Sequence, residues 1–65
     1  MLSVDPAKEY LMQITLNGAA ETIDEVVPGD RLDRAVEDAR AKYPSFRRIV
    51  VYDADTKDAV AFIMQ

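Results

Sequence analysis

One stretch narrows the folds open to this chain more than any other: Pro28 to Tyr52, PGDRLDRAVEDARAKYPSFRRIVVY. Within it Leu32, Val36, Ala39 and Tyr43 recur at helical spacing, a narrow apolar stripe widened by Ala35. Arg34, Glu37, Asp38, Ala41 and Lys42 fall on the opposite side. Pro28-Gly29 breaks whatever precedes, and Asp30 is placed to cap the helix by accepting from its free first-turn N–H groups. Asp33 sits favourably at the positive end of the helix dipole. Asp38–Lys42 and Arg34–Asp38 are i,i+4 charge pairs, each worth a few tenths of a kcal/mol. Pro44 ends the helix just after Tyr43, because a residue before proline avoids the helical region. Phe46 to Tyr52 is then apolar on both parities beyond Arg48, the pattern of a strand covered on both faces. A helix that runs directly into a central strand calls for a sheet with the helix laid across it.

The flanks supply the rest of that sheet. Tyr10, Met12, Ile14 and Leu16 alternate with Glu9, Gln13 and Thr15, so Glu9 to Leu16 reads as a strand with one wet face, Leu11 being the exception. Asn17-Gly18 follows at once and predicts a tight hairpin. The return arm, about Ala19 to Val27, carries Ile23, Val26 and Val27 among acids and reads as an edge strand. Beyond Tyr52, Asp53 to Asp58 is a polar turn, and Ala59 to Met64 returns with Val60, Phe62 and Met64 on one parity. Ala59, Ala61 and Ile63 occupy the other.

The expectation is therefore an α+β fold of order β-β-α-β-β. It is a single antiparallel sheet of about four strands, in two hairpins, with one helix packed on one face. Residues 1–8 are expected to form a flexible lead and 9–65 a single small domain. The helix can cover only one face. Leu11, with either Ile49/Val51 or Val50/Tyr52, would stay open on the other unless a partner or a second copy covers it.

Residue types exclude several chemistries. The 65 residues include no cysteine and no histidine, which removes disulfides, thiolates, Cys/His zinc sites and the usual general base. No apolar run approaches the roughly 20 residues that cross a bilayer, and MLSVDPAKEY lacks the regions of a signal peptide, so the expected compartment is cytoplasmic. The net charge of −4 is uneven: residues 1–30 hold six acids against Lys8, whereas 31–65 hold seven bases and six acids. Such a balance argues against binding driven by phosphates and could favour a basic partner surface, solubility being the plainer explanation.

Three constellations invite a chemical reading. IVVYDADTK resembles the first motif of haloacid-dehalogenase-type phosphatases, which would make Asp53 a nucleophile and Asp55 an acid/base beside magnesium. Lys57 stands where that motif requires threonine, and the chain is too short for the domain the chemistry needs. As a calcium loop the stretch fails too, with Asp58 in place of the glycine and Met64 in place of the bidentate glutamate. Arg47 and Arg48, with Tyr52 close by, are the residues a single-strand nucleic-acid platform would use. The plainer reading has both arginines paired with Glu37, Asp38 or Asp53. Asp24/Glu25 and Glu37/Asp38 are adjacent carboxylates that do not face one another, and Ser3 and Ser45 have no candidate base. No catalytic, cofactor-binding or metal-ligating residue is assigned.

The succession of hairpin, helix DRLDRAVEDARAKYP and strand FRRIVVYD, over Tyr10 to Met64, resembles short accessory proteins of bacteriophages and mobile elements. The resemblance is one of architecture without a diagnostic motif. It implies a protein that binds and modulates a host protein and carries over no residue. The expected function is thus a non-enzymatic protein-binding module without cofactor, acting through Leu11, Glu21, Asp24 and Glu25. The alternatives are a single-stranded nucleic-acid binder using Arg47, Arg48 and Tyr52, or a structural homodimer.

Overall fold

A computed structural model describes residues 4–65. Strands β1 (Glu9–Leu16) and β2 (Thr22–Pro28), a 3-10 turn (Gly29–Arg31), helix α1 (Leu32–Lys42) and strands β3 (Phe46–Asp53) and β4 (Ala59–Met64) follow in that order. The α+β architecture expected from the sequence is the one observed. The four strands form one antiparallel sheet in the order β2-β1-β3-β4. The two strands that bury the most side chains, β1 and β3, are therefore central and the two hairpin return arms are the edges. Among the described residues no helix is long and apolar enough to cross a membrane.

Registers separate the two faces. Ile23–Ile14–Ile49–Ile63 and Glu25–Met12–Val51–Ala61 run across the sheet beneath the helix. Leu32, Val36 and Ala39 of α1 close over Tyr10, Met12, Ile14, Val27, Ile49 and Val51, all buried. The alternation in β1 and the stripe of α1 thus meet in one core, and burial of those side chains is what holds the helix on the sheet.

Four local expectations are refined or corrected. Asn17-Gly18 does turn the chain, with Ala19 N–H closing it on Leu16 O, but not as a primed turn, which needs positive φ at its first central residue: only Gly18, the second, has it (+81°). Asn17 N–H is held by Ser45 O, so this end of β1 stays with β3, and β2 starts only at Thr22. Second, the strand does break at Pro28-Gly29, but only after Pro28. It is the last residue of β2, paired with Glu9, at an edge where its missing N–H costs no ladder bond. Third, Asp30 does not cap the helix: it lies in the 3-10 turn, whose own backbone bond, Leu32 N–H to Gly29 O, satisfies one of the donors a cap would take. Arg31 stands at the N-cap of α1 without a side-chain bond. Fourth, neither Asp38–Lys42 nor Arg34–Asp38 closes. Arg40 instead pairs with Glu37 at 3.4 Å, and Lys42 lies over the Tyr43 ring.

The lead expected over residues 1–8 lies partly outside the described residues. Within it, Asp5 to Lys8 form a turn bonded to the body. Asp5 N–H donates to the Tyr10 hydroxyl (2.9 Å), Ala7 N–H to Asp5 Oδ1 and Gly29 N–H to Lys8 O. The turn presses on Gly29 so closely that a Cβ there would lie 2.1 Å from Asp5 O. Glycine is therefore required by contact at that position.

Candidate functional site

The Asp-rich turn after β3 can be judged from its bonds. Asp53 is buried, its Oδ1 accepts from the N–H groups of Asp55 and Thr56, and its Oδ2 accepts from Lys8 Nζ. The Lys8 ammonium, followed by the Asp55 N–H, holds the Asp53 carboxyl below the ordinary range, and Asp53 in return raises Lys8. Lys57, at φ 65°, closes the turn with its N–H on Asp53 O. Every acceptor of Asp53 is thus engaged in shaping the turn and tying residue 8 to it. This arrangement is a clasp. Among the described residues no group of three or more His, Cys, Asp or Glu is placed to hold a metal ion.

The face away from the helix has a different character. Its rows are Val26–Leu11–Tyr52, Asp24–Gln13–Val50–Phe62 and Thr22–Thr15–Arg48–Met64. Val50 is buried there by its neighbours alone, while Leu11, Gln13, Thr15 and Tyr52 are half-buried. Around them Val26 (59%), Val60 (44%), Phe62 (67%) and Met64 (64%) are exposed. Large apolar side chains gathered on one face, where water covers them, mark a surface suited to contact.

The sequence-expected residues divide between surfaces. Leu11 and Asp24 lie on this face, Asp24 accepting from the Thr22 hydroxyl at 2.9 Å. Glu21 is in the hairpin loop at its rim. Glu25 pairs with Met12 and so belongs to the opposite side, at the mouth of an open groove lined also by Asp30, Arg34 and Asp38. Arg48 and Tyr52 share the open face, whereas Arg47 occupies the register shift where β1 leaves Arg48 for Phe46. The pairing expected for the two arginines is not found. Glu37 is taken by Arg40, Asp53 by Lys8, and among the described residues neither Arg47 nor Arg48 is in an ion pair.

Phe62, Met64, Val60 and Val26 were not singled out from the sequence, because either parity of the second hairpin could have faced the helix. One sign was available: small Ala61 stands between large Val60 and Phe62, and a small side chain suits the side crowded by a helix, whereas Ala59, across the register shift, pairs with Tyr52 on the open side. No protein-family model, curated protein or solved structure matches the chain.

Proposed function

We propose that this chain is a non-enzymatic protein-binding domain that docks a partner on the open face of its sheet. The observation that carries the reading is the gathering of exposed Val26, Val60, Phe62 and Met64 around Leu11, Val50 and Tyr52 on one face. Covering it removes apolar surface from water, at roughly 25 cal/mol per Å². Asp24 and Glu21 at its acidic side would orient a partner carrying bases there. Binding and modulating a host protein, as the architectural resemblance implies, is a role this surface would serve.

A second reading rests on one observation: Arg48, Tyr52 and Phe62 share the face, a cation and two rings on which single-stranded bases could stack. The net charge of −4 and Asp24 on the same face weigh against it.

The test is capture from lysate by the tagged chain and by its Val26→Asp variant, with and without nuclease and at two salt concentrations. A protein retained through nuclease and salt but lost from Val26→Asp supports the first reading. Equal capture by the variant overturns it, and retention that vanishes with nuclease transfers the surface to the second.

A further inference from the structure

The two edges of the sheet are not equally fit for solvent. β2, TIDEVVP, carries Asp24, Glu25 and a terminal proline, the devices that discourage another strand from pairing. β4, AVAFIM, carries no charge and no proline. Its one interruption is the register shift that leaves Val60 as an extra residue between the pairs Tyr52–Ala59 and Val51–Ala61. From Ala61 onward the strand is regular. Gln65 N–H bonds Arg47 O, so the alternation of an antiparallel ladder turns the N–H and C=O of Phe62 and Met64 away from β3.

We propose that this edge pairs with the same edge of a second copy, antiparallel about a twofold axis at Ile63. Phe62 then exchanges backbone hydrogen bonds with Met64 of the other copy, and Met64 with its Phe62. On the open face each ring lies beside a thioether, a favourable contact. Two features make a second copy the matching occupant. The first is the charge that flanks the edge at its two ends. On β3, Arg48 pairs with Met64 and Arg47 O takes the Gln65 N–H, and among the described residues neither arginine is in an ion pair; in the turn before β4, Asp55 and Asp58 outnumber Lys57. With Ile63 on the axis, the acidic turn of each copy lies past Gln65 of the other, on the side of its arginines, whereas two β2 edges would bring acids together. The second is chemistry: every residue from Ala61 to Met64 meets an uncharged residue across the axis. The inference extends the proposed function, because the joined sheets present two open faces side by side and leave Val26 free.

The seam is short and falls below the roughly 800 Å² per partner of a standard interface, so dissociation is expected in the range of about 100 µM. Sedimentation of the intact chain from about 10 µM to 1 mM should show monomer passing to dimer, with Phe62→Lys remaining monomeric. Phe62 is 67% exposed, and a circular-dichroism melt should show that the variant folds. Register is read separately by mixing Phe62→Cys and Met64→Cys chains, which carry the only thiols, and adding a short bismaleimide. Mixed dimers well above the statistical half are expected. A wild type monomeric at 1 mM, a dimer indifferent to Phe62→Lys, or a statistical crosslink distribution would each overturn the seam. Capture lost from Val26→Asp alongside a monomeric wild type would still uphold the open-face reading, so the two can fail independently.

Discussion

The outer strands β2 and β4 pair with the core of the sheet in the same antiparallel manner, yet they meet solvent by opposite means. β2 buries one side chain, Val27, and sets acids along its length; just past its end the Asp5–Lys8 turn packs on and bonds Gly29. β4 buries none, leaves Phe62 and Met64 about two-thirds exposed, and carries no charge. A domain of this size gains little from each edge, so what an edge displays is freer to serve contact than what the centre displays. The difference teaches that Phe62 and Met64, unlike Ala61 and Ile63 of the same strand, are not held there by the core.

The closed end of β2 should be the most sensitive point of the comparison. Gly29→Ala would place a Cβ 2.1 Å from Asp5 O, forcing the Asp5–Lys8 turn off the edge. A loss of roughly 1–3 kcal/mol is expected, as for other overpacking substitutions. In thermal denaturation that is a fall of about 4–8 °C per kcal/mol for a domain this small. The amide of Gly29 should lose its protection from exchange with it, and an unchanged melting temperature would show that the turn contributes nothing to the guarded edge.

Asp53→Asn sharpens the same point from the other end of that turn. Asparagine keeps an acceptor for the N–H groups of Asp55 and Thr56 but gives up the charge that holds Lys8. Because the Asp53 carboxyl is held below its ordinary 3.8, its contribution is present above that pH and lost as pH falls through the lowered value. Lys8 is raised above 10.5, so its contribution is present below that pH and lost as pH rises through the raised value. The difference in melting temperature between wild type and Asp53→Asn should therefore be level across neutral pH and shrink at both extremes. A difference that grew toward acid would refute the clasp.

On the β4 side the turn itself can be relaxed. Lys57 holds φ 65° without a glycine's freedom, a conformation costing roughly 1–2 kcal/mol in a side-chain-bearing residue. Lys57→Gly should raise stability by somewhat less, about 0.5–1 kcal/mol, since glycine gives part of that back in unfolded-state entropy. Urea titration reads the change as a shift of midpoint at constant slope.

These contrasts explain what could be read before the fold was seen. The centre was legible because its signals are redundant: the alternation of Tyr10, Met12 and Ile14, the stripe of Leu32, Val36 and Ala39, and the run Ile49-Val50-Val51 all point to one core. Chain ends of elements were less so, because they are decided by bonds to distant residues. Asn17 follows Ser45, Gly29 follows Asp5 and Lys8, and Asp53 follows Lys8, and no local pattern around the first of each pair announces the second. The open surface was legible in kind, as one uncovered face. Its residues were not, since Leu11 and Asp24 fall on it while Glu25, next in sequence to Asp24, points to the helix side.

The smallest expected effect on folding is the one that decides the comparison. Phe62→Lys puts a charge on the bare edge at a residue whose ring already lies mostly in water, so stability should change by no more than about 0.5 kcal/mol. The converse change, Glu25→Val, removes a guard from β2 and should also leave the fold intact. If the edges differ by design of their surfaces alone, the first substitution abolishes concentration-dependent association and the second creates it on the opposite side. Light scattering of both variants at matched concentration reads the pair together. Should Phe62→Lys instead lower the melting temperature by many degrees, the ring would be part of the core's support, and the apolar edge would need no partner to account for it.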